Sequence, residues 1–146
     1  MKRKILSFVS LVATLIVSLC TIVACKPADR SGVKASVVSS TETIVLIQVD
    51  KVASETDTLM DAMVVLKESG ALDYIVSGGM IQSINGKENK ADWSACWMLY
   101  TSDSEMGNAE WGTYEYDNVS YASAILGAEL LLLTEGAFYL WVYTSF

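Results

Sequence analysis

Seven aromatic side chains fall within 29 residues, between positions 93 and 121: Trp93, Trp97, Tyr100, Trp111, Tyr114, Tyr116 and Tyr121. Their chemistry is that of contact. Each couples an apolar body to a polar tip, a combination favoured at binding surfaces. Trp97 and Tyr100 stand in an apolar run and are expected mostly in the core. Trp93, Trp111, Tyr114 and Tyr116 stand in more polar sequence and are harder to bury. The candidate ligand-binding set is therefore Trp93, Trp97, Tyr100, Trp111, Tyr114 and Tyr116. The rival reading is a sheet edge whose loops pack on themselves.

Catalytic chemistry is poorly provided for. The chain has no histidine, which removes the Ser-His-Asp triad, His-based zinc sites and imidazole coordination of cobalt or haem. No Cys-x-x-Cys is present to hold zinc or an iron–sulfur cluster. Gly78-Gly79 lacks the Lys-Ser/Thr that would complete a phosphate loop. Asp103, Glu105, Glu110, Glu115 and Asp117 do not match the fixed oxygen offsets of an EF-hand and read as a solvated face. Paired carboxylates could hydrolyse glycosides, yet a domain this small offers little cleft. The expectation is a non-enzyme with no catalytic residue, no metal and no cofactor. Cys96, between Trp93 and Trp97, reads as a small buried hydrophobe.

One residue has a covalent chemistry of its own. Met1-Lys2-Arg3-Lys4 is a basic start, and residues 5–24 are uncharged and rich in Leu, Val and Ile. A small residue, Ala24, then precedes Cys25. Basic, apolar and small-residue regions in this order make a secretory signal, and Ile22-Val23-Ala24-Cys25 resembles the lipobox of bacterial lipoproteins. Residues 1–24 are thus expected to be a helical signal peptide, removed when Cys25 is acylated. About 20 apolar residues can also span a bilayer, so a retained anchor is the alternative. Both place the remainder on the extracytoplasmic face of the cell membrane. Two or three acyl chains would hold it firmly where one would not.

Loss of Lys2, Arg3 and Lys4 leaves 7 basic against 17 acidic residues, a net charge of −10 compared with −7 for the whole chain. Such acidity excludes nucleic acid as a partner, because phosphate binding needs Lys and Arg. It also disfavours an anionic lipid face as partner of the globular part, and it suits a neutral or cationic ligand. The membrane is met through the lipid anchor. With Cys20 removed and Cys25 acylated, Cys96 has no partner for an internal disulfide.

About 122 residues remain, enough for one domain with its own core. Residues 25–41 carry Pro27, Gly32 and several serines without a sustained period, and read as a flexible linker. Residues 43–49 are β-branched and aliphatic, as a strand requires. Residues 56–69 place Leu59, Met60, Met63, Val64 and Leu66 on one helical stripe, with Thr56 or Asp57 to cap it and Gly70 to end it. A short apolar stretch over 72–76 ends at Gly78-Gly79, and residues 80–84 alternate before the tight-turn pair Asn85-Gly86. Residues 95–101 form a strand, residues 102–109 a polar loop, and residues 111–121 a strand or an irregular segment. Residues 122–133 are ambiguous between helix and buried strand. Thr134-Glu135-Gly136 is a turn, and residues 137–144 form the last strand. One helix among about five strands indicates α+β, the helix packed on a sheet.

Residues 42–144 resemble the small β-grasp domain found at the C-terminus of transcobalamin and intrinsic factor, and in a bacterial family of unassigned function. Thr58-Leu59-Met60-Asp61-Ala62-Met63 is similar to the start of the family helix. Ile81-Gln82-Ser83-Ile84-Asn85-Gly86 is similar to its hairpin. Trp97-Met98-Leu99-Tyr100 is similar to its W-x-x-Y strand. Glu135-Gly136 before Tyr139-Leu140-Trp141-Val142-Tyr143 is similar to its ending. The resemblance implies a β-grasp-like mixed sheet over 42–146 and a surface lipoprotein that acts as a binding module. The implied ligand is a corrinoid such as cobalamin, or another small molecule. The helical domain that supplies the opposite wall in transcobalamin would come from a partner chain. A second expectation is an accessory subunit that docks another envelope protein through a sheet edge.

Overall fold

One helix interrupts a succession of strands: β1 (Lys34–Ser40), β2 (Ile44–Lys51), α1 (Leu59–Glu68), β3 (Tyr74–Ser77), β4 (Met80–Ile84), β5 (Lys87–Glu88), β6 (Ala95–Thr101), β7 (Gly107–Tyr116), β8 (Val119–Ala124) and β9 (Phe138–Ser145). The computed structural model describes residues 32–146. The signal segment and Cys25 lie outside the described residues. Among the described residues no helix is long and apolar enough to cross a membrane.

Turn chemistry sets the hairpins. Gly78-Gly79, Asn85-Gly86 and Asp117-Asn118 each join two paired strands through two residues, all with positive φ. Such turns match the right-handed twist of the strands they connect. Asp117-Asn118 lies inside the stretch expected to be one segment, and it divides that stretch into β7 and β8.

Six strands form an antiparallel sheet in the order β1-β2-β9-β6-β8-β7, and β3-β4-β5 form a second, smaller one. The chain is therefore α+β. The sheet is not mixed, as the resemblance had implied. β2 and β6 run in the same direction, since each pairs antiparallel with β9. By inserting between them, β9 replaces a parallel pair with two antiparallel ones, which are slightly more stable per residue.

The expected linker also ends earlier than residue 41. Lys34–Ser40 pairs with β2 along its length and forms an edge strand. Its serines conceal the strand in the sequence, because an edge strand with one face half-exposed needs few apolar residues. Val33, just before it, is buried in the core.

Thr58, not Thr56 or Asp57, is the N-cap of helix α1. Asp57 is occupied elsewhere: its carboxylate accepts the N–H groups of Ala53 and Ser54 at 2.8 and 2.7 Å. Asp61 instead reaches back to the Thr58 N–H at 2.9 Å, as in a capping box. The next N–H groups, of Leu59 and Met60, donate to the carbonyls of Leu131 and Ala128. Residues 125–133 are thus neither helix nor regular strand. They are a loop docked on the helix start, where their carbonyls satisfy donors that a helix cannot satisfy itself. Gly70, at φ +76°, ends the helix as expected.

The sheet has a core on each face. On the helix side, Val45, Ile47 and Val49 of β2 and Tyr139 of β9 are fully buried with Leu59 and Met63 of α1. On the other side, Leu46, Leu140 and Val142 pack with Tyr121. That second layer is covered by the β7–β8 hairpin. β8 bonds to β6 only at Tyr100↔Ser123 and Thr101↔Ala122. Beyond those pairs the hairpin folds over the sheet, and Tyr116 Oη lies 2.8 Å from Ser39 Oγ on the opposite edge strand.

Candidate functional site

Short pairing between β6 and β8 leaves the Ala95–Leu99 stretch of β6 paired with β9 on one side and without a neighbouring strand on the other. β4 comes close to this free edge but does not pair with it. Asn89 spans the gap: its Nδ2 donates to the Ile81 carbonyl at 2.8 Å, and its Oδ1 accepts the Trp97 N–H at 2.9 Å. One amide side chain thereby clips the two sheets together.

Beside this clip lies a cleft of about 390 Å³. Its walls come from Gly79 and the start of β4, the free edge of β6 and the loop after β8. Met80, Trp93 and Leu126 stand half-exposed at its rim, while Trp97 and Trp141 are buried in its wall. No charged side chain lines it among the described residues. The volume lies at the small end of the range for pockets that take drug-sized molecules.

The rim is held by local polar contacts. Trp93 adopts φ +60°, an unusual conformation for a bulky residue. Its N–H donates to the Lys90 carbonyl at 3.0 Å. Asp92 accepts both the hydroxyl and the N–H of Ser94, at 2.7 and 3.1 Å. These bonds from Ser94 hold the Asp92 carboxyl below the usual carboxylate range. Trp97 is fixed in turn by its indole, whose Nε1–H donates to the Lys87 carbonyl at 2.8 Å.

The six candidate aromatic residues do not converge. Trp93 and Trp97 both line the cleft. Tyr100, Tyr114 and Tyr116 pack against the second core on the other face, with the rings of Tyr100 and Tyr114 5.7 Å apart. Strand parity separates them: Trp97 and Tyr100 are three residues apart on β6 and so point to opposite faces. Trp111 belongs to neither group and is 65% exposed on edge strand β7.

Sequence reasoning missed Asn89, Met80, Leu126 and Trp141 as cleft residues. Asn89 stood in a polar loop with no motif around it. Trp141 stood in a strong strand, where a core role was sufficient explanation. Cys96 also lines the cleft, half-buried, with Sγ 3.8 Å from Met98 Sδ. Burial pushes its thiol above the ordinary range, so it is a poor nucleophile at neutral pH.

The acidic residues 103–117 also lack a common centre. Asp103 accepts the Glu105 N–H and the Thr134 hydroxyl. Among the described residues no group of three or more Cys, Asp or Glu is placed to hold a metal ion. A second hollow of about 290 Å³, near Thr41, Asn85 and Lys87, is more polar and lacks large apolar walls. Comparison of the chain with protein-family models, curated proteins and solved structures finds no match.

Proposed function

We propose that this chain is a non-catalytic binding module, held on the extracytoplasmic face of the cell membrane by acylated Cys25, and that its cleft receives a small, mainly apolar ligand. The cleft supports this reading most directly. It exposes Met80, Trp93 and Leu126 around buried Trp97 and Trp141, with no charge among its lining residues. Half-exposed apolar side chains around a concave, uncharged wall lose unfavourable hydration when a ligand covers them. We read the sheet and helix α1 as a divergent β-grasp. A corrinoid is larger than this cleft and would rest across its rim, with a partner chain on its far side.

Titration of the full chain with cobalamin and with small neutral aromatic compounds, followed by tryptophan fluorescence, tests the reading. Binding that weakens at least tenfold in a Met80→Ala/Trp93→Ala double variant supports it. Binding of none of these compounds would count against it. Acylation is tested separately by mass spectrometry of the chain made in a bacterial host, where Cys25→Ser should abolish the lipid mass.

Trp111 favours a second reading. It is 65% exposed on β7, an edge strand of the large sheet, and an edge strand can pair with another chain. The module would then dock an envelope protein. Cross-linking from position 111 in intact membranes, with recovery of only the chain itself, would sink that alternative.

A further inference from the structure

Strand β7 leaves its ladder and returns to it. Asn108 pairs with Ser123 and Thr113 with Ala122, so residues 109–112 stand opposite nothing on β8. This bulge contains Gly112 at φ +130°. It is pinned at its start by the Glu110 N–H, which donates to Asn108 Oδ1 at 2.9 Å. Bulges re-aim the side chains they carry. Here Glu110 and Trp111 are turned into solvent, Trp111 with 65% of its surface exposed.

Beyond the bulge, the two-residue turn Asp117-Asn118 closes the hairpin on the pair Tyr116↔Val119. In such a hairpin the closing pair is hydrogen-bonded, and bonded pairs then alternate along the ladder. Tyr114 and Tyr116 therefore bond to β8, while the N–H and C=O groups of Thr113 and Glu115 point away from it. β7 is the last strand of the sheet, so no further strand receives them. The side chains of Thr113 and Glu115 are exposed, and those of Tyr114 and Tyr116 pack on the second core.

Charge decides what this edge can meet. Residues 91–146 contain eight acidic residues and no Lys or Arg. Glu110, Glu115 and Asp117 lie on the hairpin itself, and none of them forms an ion pair among the described residues. A second copy of this chain would bring the same carboxylates to the edge, and like charges across a strand pair destabilise it. An anionic lipid surface would repel them too. A cation is attracted both by the carboxylates and by the face of an exposed indole.

We propose that the β7 edge docks an extended segment of another protein that carries Lys or Arg at alternate positions. Its backbone bonds to Thr113 and Glu115, and its cations meet Glu110, Trp111 and Glu115. Alternate positions are required because side chains on one face of a strand recur every second residue. This rests on the docking reading above and adds the chemistry of the partner. The bulge confines the pairing to a few residues beside the turn, which guards the edge against indiscriminate strand addition.

Two octapeptides serve as probes, one alternating Arg and Thr, the other alternating Glu and Thr. Each is titrated into the full chain at about 0.15 M salt, where long-range attraction is screened, and followed by ¹H–¹⁵N NMR. Only the Arg peptide should bind. The Thr113 and Glu115 amide protons should move downfield as they gain acceptors, and the Trp111 indole signal should shift. Affinity should fall at least about fivefold in Trp111→Ala, and about as much in a Glu110→Gln/Glu115→Gln double variant. Both variants change exposed side chains only, so the fold is kept. Shifts spread over the other acidic residues, with affinity unchanged in the variants, overturn the edge assignment. Equal binding of the two peptides, or binding of neither, overturns the cationic partner. The docking reading is judged separately, by the cross-linking from position 111. A captured protein with no basic segment at the contact keeps that reading and overturns this inference.

Discussion

Asn89 and Trp97 are joined where a strand pair is missing: Asn89 Oδ1 accepts the Trp97 N–H at 2.9 Å, while the same amide donates to Ile81 across the gap. The cleft begins where this clip ends. A continuous β4–β6 ladder would close it, and an open gap would leave strand edges unpaired. The amide does neither, and it ties the site to the stability of the fold.

Replacing Asn89 should therefore be costly. Asn89→Ala leaves the Trp97 N–H and the Ile81 carbonyl without partners, and a loss of about 2–4 kcal/mol in unfolding free energy is expected. Asn89→Asp keeps the acceptor but sets a carboxylate against the Ile81 carbonyl, and should also destabilise. Urea denaturation measures both. A loss under 0.5 kcal/mol in Asn89→Ala, on the order of an ordinary surface change, would refute the clip.

Tyr139 is fully buried on β9, and its hydroxyl serves the turn after the docked loop. It donates to the Leu132 carbonyl at 3.2 Å and accepts the Thr134 N–H at 3.0 Å. Tyr139→Phe keeps the ring and removes both bonds, with an expected loss of about 1–3 kcal/mol. Hydrogen exchange should quicken first at Thr134. Unchanged protection there would show that the hydroxyl does not hold the turn.

Alkali should unfold this protein more readily than a moderate rise in pH ordinarily does. Burial pushes the phenols of Tyr100, Tyr121 and Tyr139 above their ordinary value near 10, and the Cys96 thiol above its own near 9. The unfolded chain then releases these protons first. Stability is complete below about pH 9, and it falls as the pH climbs through the unfolded values towards the folded ones. Asp73 and Asp92 have the opposite sign. The Lys67 hydrogen bond and charge lower the first, and Ser94 lowers the second. Their small contribution is present above about pH 4 and lost below it. Urea midpoints between pH 3 and 11 test both limbs, and Tyr139→Phe should flatten the alkaline one.

Gly107 begins β7 where the hairpin leaves the sheet. A Cβ there would lie 2.8 Å from Ala122 Cβ and 3.0 Å from the Asp103 carbonyl. Neither can yield cheaply, since one belongs to the paired strand and the other is backbone. Gly107→Ala should cost about 1–3 kcal/mol through overpacking. A thermal melt unchanged from wild type would mean that the hairpin is free to move away from the sheet.

Local pattern made the ladder strands and the helix legible in the sequence. Residues 95–101 alternate buried and half-buried as β6, and Asn85-Gly86 turns as its composition requires. The stripe through Leu59, Met63 and Leu66 is the buried face of α1. These features depend on neighbours a few residues away, and a sequence displays such neighbours directly. Strand β1 was hidden because its partner, not its own serines, makes it a strand. Residues 122–133 were ambiguous because only their first three belong to β8, while the apolar run beyond answers to the helix start, more than 60 positions earlier in the chain.

The amino-acid sequence by itself determined the α+β class, an acidic chain without histidine, and the aromatic residues available for contact. Only the tertiary structure decided which of those rings share a face, that β9 enters between β2 and β6, and that a cleft opens beside Asn89. The physical reason is separation along the chain. Met80, Trp93, Leu126 and Trp141 meet through the packing of two sheets and a loop, and no local period encodes contacts whose cost and reward are realised only when the whole chain closes.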